Sequence, residues 1–407
     1  MRIERLRLQD FRNYAEADWR PGPGVSLLVG PNGAGKTNLL EAACLLLAGQ
    51  SPRTRHEEEL VRQGASAARL AAEVEAGGRR WRVEAELGPG KKRLELDGRP
   101  LARLGELLYR FPLVLFRPAD LELIQAGAAV RRHFLDEVGR AWSRSYDAAL
   151  GAARKALAER NALLRKLGPS ASPRSAALLL ETWNEAFAAA AAALLRRRLA
   201  LLAELVPELR RLHAALAGEP PLSVAYASSL PAAGGLLAGG APPAAADEGR
   251  RLEEALRGAI QKALDDALPR ELEHGYTLVG PHRDDLRLQL GGRDARAYAS
   301  QGQQRALALA LRMAQFALLR AKRGEAPLLL LDDVFSELDG ERRQRLLSLL
   351  LPETEQAWVT AAEEGSAQAG GLLLAIAGSE RVKWFRIVSG SIGEVPGGER
   401  TPRAPAR

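Results

Sequence analysis

The chain has 407 residues, 46% of them hydrophobic, a size that calls for two or three domains with real cores. Its net charge of +8 rests on arginine, since only 8 of the 58 basic residues are lysine; arginine suits bidentate phosphate contacts, which makes nucleic acid a natural partner, although an Arg-rich genome produces the same bias. The longest apolar run, Ala186 to Leu195, falls well short of the roughly 20 residues of a membrane span, and the lone Cys44 cannot close an internal disulfide, so a cytoplasmic protein without a membrane partner is expected.

Residues 2 to 9 alternate charge and hydrophobe like a strand, which also argues against a leader peptide, and residues 25 to 29 read as a second strand. Phe11-Arg12-Asn13-Tyr14 falls in the connection and Pro21-Gly22-Pro23-Gly24 forms a turn. The second strand runs into Gly30-Pro31-Asn32-Gly33-Ala34-Gly35-Lys36-Thr37-Asn38, followed by an apolar helical pattern through Leu47. This is a phosphate-binding loop: its glycines let the backbone take positive φ and bring N–H groups against phosphate oxygens, and the helix that follows points its positive end at the same anion. Lys36 is expected to reach the β- and γ-phosphates of ATP, and the Thr37 hydroxyl to hold Mg²⁺.

Val74-Glu75, Trp81 to Leu87 and Arg93 to Leu96, separated by Gly-rich turns, predict an antiparallel meander. Leu113 to Phe116 is a buried-strand pattern stopped by Pro118. From Gly127 the texture changes to long helices, Val130 to Leu167 and Pro173 to Ala217 with a possible break at Pro207, then a Pro-, Gly- and Ala-rich loop over 231 to 249 and a helix over Leu252 to Leu268. The expected division is 1–126 for the first part of an ATPase head, 127–270 for a helical arm, 271–388 for the second part of the head, and 389–407 for a disordered tail.

Leu328-Leu329-Leu330-Leu331-Asp332-Asp333 supplies the acids that hydrolysis needs at the end of a buried strand: Asp332 to hold Mg²⁺ and Asp333 to orient the attacking water. Ser300-Gln301-Gly302-Gln303-Gln304-Arg305 and Ser336-Glu337-Leu338-Asp339 resemble the signature and D-loop of ABC-type ATPases. That resemblance implies an α/β fold, a P-loop head of mixed sheet with an antiparallel subdomain and an inserted helical arm. It further implies that Ser300, Gly302 and Gln303, with Asp339, complete a site in which ATP is sandwiched between two copies, Ser300 capping the γ-phosphate held by the partner.

Together with Phe11-Arg12-Asn13-Tyr14, Gly35-Lys36-Thr37-Asn38-Leu39-Leu40-Glu41-Ala42, Gly280-Pro281-His282-Arg283-Asp284-Asp285-Leu286 and Leu331 to Asp339, these motifs make the chain similar to the RecF family of bacterial recombination mediators over residues 2 to about 388. The resemblance implies a weak, DNA-dependent ATPase that dimerises on ATP, recognises single-stranded, double-stranded and gapped or junction DNA, and acts with RecO and RecR to load RecA. Three departures stand out. Pro52 replaces a usual aromatic; no clear Q-loop is visible, with Gln125 a candidate; and Ala361-Ala362-Glu363-Glu364 stands where transporters carry a switch histidine, which fits slow hydrolysis. His282 reads equally as part of a structural hydrogen-bond knot, and Arg283, Asp284 and Asp285 as core-edge ion pairs. For DNA phosphates the candidates are Arg53, Arg55, Arg131 and Arg132, with Arg196 to Arg198 reading rather as a solvated helix face. A transporter ATPase subunit, a structural-maintenance or Rad50-like head and a P-loop kinase are the competing readings.

Overall fold

The computed structural model describes residues 1–218, 220–230, 246–334, 340–363 and 366–395. The chain divides into two compact units, Met1–Asp120 with Ala215–Ala217 and Leu309 onward, and Leu121–Ala214 with Gly218–Ala308.

The first unit contains two six-stranded sheets. One is antiparallel, β1 (Arg2–Phe11), β2 (Tyr14–Trp19), β4 (Ala68–Ala76), β5 (Arg79–Gly88), β6 (Lys91–Leu96) and β7 (Arg99–Pro100) lying in the order β2-β1-β4-β5-β6-β7. Its strands alternate as a half-buried sheet requires: Ala68, Leu70, Ala72, Val74 and Ala76 of β4 face the core while the residues between them are exposed or half-buried. The other sheet has β3 (Gly24–Gly30), β8 (Leu113–Phe116), β12 (Leu328–Leu331), β13 (Gln356–Ala362), β14 (Val382–Val388) and β15 (Ser391–Val395), in the order β15-β14-β3-β13-β12-β8. It is parallel except where β15 folds back on β14. Every residue of β3, β8 and β12 is buried, which is why these segments read as unbroken apolar runs.

Helix α1 (Lys36–Ala48) lies between the sheets, packing against β4 and β5 of one and β3, β8 and β13 of the other. A helix covered on both sides needs no polar face, and from Leu39 to Ala48 all its residues are buried. Trp19 of β2 meets Trp358 of β13 at 4.6 Å and Phe385 of β14 at 5.3 Å, closing the space beside it. The unit also holds α2 (Leu104–Arg110), α10 (Gly340–Leu350) and α11 (Ser366–Ala377). The tail begins later than expected: Ser389-Gly390 turn the chain and residues 391–395 pair with β14, whereas residues 396–407 lie outside the described residues.

The second unit is built on α3 (Glu122–Gln125), α4 (Ala128–Trp142), α5 (Arg144–Leu167), α6 (Pro173–Ala217, ending in the first unit) and α7 (Ala246–His274). It adds a small sheet of β9 (Leu222–Ala227), β10 (Asp285–Leu290) and β11 (Arg293–Asp294), then α8 (Ala295–Tyr298) and the start of α9 (Gln301–Arg323). The helix expected over 130 to 167 is two helices, interrupted at Ser143, whose backbone is extended. Conversely α6 continues through Pro207 and α7 through Pro269. Leu205, Leu209 and Leu212 are buried around the first proline, so packing offsets the lost backbone bond. Residues 231 to 245 of the expected loop lie outside the described residues, and 246 to 249 begin α7.

Small residues set the helix packing: Ala188, Ala191 and Ala192 of α6 join a buried cluster with Phe187 and Leu195 and with Leu256, Ile260 and Leu264 of α7. Two buried ion pairs fix the register. Arg160 donates to Glu271 at 2.6 Å, both side chains fully buried, and also to Asn184 and Thr277. Arg198 donates to Asp136 at 2.9 Å and to the Pro281 carbonyl at 2.6 Å. These ties, with β10 paired to β9, place residues 271–308 in the helical unit rather than in the head to which the sequence-based boundary at 270 assigned them.

Candidate nucleotide-binding site

The phosphate loop leaves the carboxyl end of β3, whose neighbours β13 and β14 arrive from the far end of the chain, so the crevice lies where strand order reverses, the usual ligand position in an open α/β sheet. The glycines act for different reasons. Gly35 has φ of 117°, and a Cβ there would lie 2.7 Å from the Asn13 amide; Gly30 has no positive φ, but a Cβ would stand 2.1 Å from the Ile387 carbonyl oxygen. Gly30 is thus required by the close approach of β14, not by left-handed backbone as the sequence reading assumed. Ala34 N–H donates to the Pro31 carbonyl at 3.2 Å, closing the loop across Asn32 and Gly33.

Lys36 turns its ammonium into the loop, donating to the Gly30 and Pro31 carbonyls at 2.7 and 2.9 Å. Burial lowers its pKa, while Asp333, Asp332 and Glu363 oppose that. Thr37 donates to Asp332 Oδ1 at 2.9 Å across 295 positions of sequence. Thr360 of β13 donates to the same oxygen at 2.9 Å and accepts from the Asp333 N–H at 2.8 Å. Burial pushes the Asp332 carboxyl up, the two threonine bonds and Arg53 working against it. Asp333 takes a positive φ of 52°, which turns the chain sharply after β12.

A hydroxyl and a buried carboxylate 2.9 Å apart suit a small hard cation that keeps water and phosphate oxygens as its remaining ligands. Among the described residues no three His, Cys, Asp or Glu side chains converge. Thr37 and Asp332 would hold Mg²⁺, which would offset phosphate charge there. Lys36 would exchange two carbonyls for phosphate oxygens, and Asp333 would orient water.

Behind the loop lies a network the sequence reading did not assign. Asn13 donates to the Ala34 carbonyl at 2.8 Å and accepts from Asn38 at 2.8 Å; the Tyr14 hydroxyl donates to the Gly35 carbonyl at 3.0 Å. Asn38, expected among the nucleotide contacts, therefore uses its amide on Asn13 and on Arg53, which donates to it at 3.0 Å. The fully buried Glu41 accepts from Arg12 at 2.7 and 2.8 Å and from Ser51 at 2.6 Å. The Gly390 N–H donates to the Ala34 carbonyl at 3.2 Å, so a residue expected in the tail braces the loop.

Ser300, Gly302 and Gln303 belong to the second unit. Ser300 and Gln303 form a reciprocal cap: Gln303 N–H donates to Ser300 Oγ at 3.3 Å and Ser300 N–H to Gln303 Oε1 at 2.9 Å. The Ser300 oxygen accepts from the helix, which leaves its O–H proton to donate elsewhere. Gln125 donates to Gln304 Oε1 at 2.8 Å. Asp339 and the rest of Ser336 to Asp339 lie outside the described residues.

One DNA-contact candidate and one helix-face reading are corrected. Arg131 is buried, donates to both Asp285 oxygens at 2.8 and 2.9 Å and to the Leu123 and Ala126 carbonyls, and so holds α4 to β10. Arg198 is buried in the ion pair described above, not on a solvated face. Arg132 donates to the Asp284 carbonyl at 2.7 Å. His282 bonds the Thr277 carbonyl at 3.0 Å and burial lowers its pKa to about 4; Asp284 is fully buried and accepts from Tyr226 and Ser229, so this segment is a structural knot.

The crevice, the Thr37–Asp332 pair and the parallel sheet with its antiparallel partner define an ABC-type ATPase head. A family model described as the RecF/RecN/SMC N terminal domain matches residues 2–381. The chain is 43% identical over 373 residues to the DNA replication and repair protein RecF of Frankia alni, covering 91% of this chain and 95% of that one. It is 41% identical to the protein of the same name from Anaeromyxobacter dehalogenans, covering 88% and 92%. A solved structure of the recombination mediator protein RecF-ATP in the RecFOR pathway superposes with a TM-score of 0.81 at 29% identity, over 97% of this chain and 99% of that one. An Smc head bound to a winged-helix domain of ScpA, at 14% identity and TM-score 0.50, shares the fold. The chain belongs to the RecF family.

The Lys36→Ala protein is expected to lose nucleotide affinity by roughly a hundredfold, because the ammonium that would hold phosphate oxygens is removed from the loop. Titration with a fluorescent ATP analogue measures it; unchanged affinity would remove Lys36 from the site.

Proposed function

We infer that the protein is an ATP-gated DNA-binding protein of recombinational repair and replication restart, a weak ATPase whose two copies close on two ATP molecules with Mg²⁺. In this reading it works in the cytoplasm on single-stranded, double-stranded and gapped DNA, acting with RecO and RecR to help load RecA. The observation that carries the nucleotide part is the Thr37–Asp332 bond, which joins the phosphate loop to the acid at the end of β12. The family's names and the RecF-ATP structure support the repair role. The Ser300–Gln303 cap supports the dimer, since it presents a donor at a helix N-terminus as a γ-phosphate contact requires. Glu363 after β13, where transporters carry a histidine, supports slow turnover and a switching role. Among the described residues no helix is long and apolar enough to cross a membrane.

Sedimentation with and without ATP and gapped duplex tests it. ATP is expected to convert monomer to dimer, and the dimer to hold gapped DNA with a steep salt dependence, because exposed arginines on phosphates release counterions. A chain that stays monomeric with ATP and DNA present contradicts the clamp.

A further inference from the structure

We propose that Tyr298 contacts nucleotide between copies: its ring stacks on the sugar and base of the ATP held in the phosphate loop of a second copy of this chain. This rests on the dimer reading above. Tyr298 ends α8 and is 70% exposed, so its ring is open to a partner. The segment that carries it is held at several points. Asp294 caps α8, accepting from Ala297 N–H at 3.1 Å. Gln304, buried in the first turn of α9, donates to the Ala295 and Arg296 carbonyls at 3.3 Å each, and is itself held by Gln125. Tyr298 at the end of α8 and Ser300 just before α9 thus flank a joint that Gln304 ties together. The backbone that carries the ring is fixed, so contact orders little beyond the side chain's own two rotations.

The occupant follows from the spacing. Only Ala299 separates Tyr298 from Ser300, a span of at most about 7 Å of backbone, and the side chain adds its own length. When the Ser300 hydroxyl meets a terminal phosphate, the tyrosine ring has the reach to meet the remainder of the same nucleotide. A flat aromatic face takes a purine by stacking without reading its edge.

The test uses the full chain with etheno-ATP and Mg²⁺, following dimer formation by sedimentation and base stacking by fluorescence quenching. Wild type is expected to quench the base as it dimerises. Tyr298→Ala and Tyr298→Leu should each require about tenfold more protein to dimerise and should lose the quenching, and Tyr298→Phe should restore both. If Tyr298→Leu dimerises like wild type, or quenching survives in Tyr298→Ala, the ring packs on protein and the proposal is overturned. It is equally overturned if wild type dimerises without quenching. A wild type that never dimerises removes the dimer reading itself and this proposal with it.

Discussion

The Asp333→Asn protein is expected to bind ATP as the wild type does and to hydrolyse it about a hundredfold more slowly. Binding survives because the groups that would hold nucleotide and metal are untouched: Thr37 and Thr360 still reach Asp332, and Lys36 keeps its loop. The backbone survives because asparagine tolerates the positive φ of 52° and keeps the N–H donated to Thr360. What is lost is the carboxylate that would orient the attacking water. Dimers formed with ATP should therefore persist, and the two measurements are single-turnover hydrolysis and the lifetime of the dimer. Turnover at the wild-type rate would assign the water to another residue.

The Ser300→Arg protein should bind nucleotide yet neither dimerise nor turn over, since it puts bulk and positive charge where a hydroxyl is presented. The decisive arrangement mixes it with Lys36→Ala. In the heterodimer the intact loop of one chain faces the intact signature of the other, while the two defects meet at the second site. Each heterodimer is expected to recover about half the activity of a wild-type dimer. Heterodimers that form but stay inactive would mean that both sites must fire together or that the signature does not act across chains. Normal hydrolysis by Ser300→Arg alone would return the monomeric kinase reading.

What could be read from sequence was what local chemistry writes locally. The phosphate loop is one contiguous stretch, and Leu328 to Leu331 announces a strand buried on both faces ending in two acids. Thr360 was not legible, because it reaches Asp332 only through the pairing of β12 with β13. Asn13 stood in a quoted motif without a role, since nothing local says that the corner after β1 folds onto Ala34. Arginines were the hardest case. Arg53 and Arg131 look alike in the chain, yet one is half-exposed beside the loop and the other is enclosed by Asp285 and two carbonyls. The break at Ser143 and the continuity at Pro207 were missed for one reason: tertiary packing overrides local helix preference.

The bonds from Asn13 to Ala34 and Asn38, with Arg12 clasping Glu41 one turn further along α1, weld the corner between β1 and β2 to both ends of the loop-to-helix junction. A joint tied at two points along one helix cannot swivel about either. The phosphate loop and the antiparallel sheet therefore meet through side chains as well as through the main chain. The corner between β1 and β2 is thus part of the loop's own scaffold, though it lies about twenty residues before it in the chain.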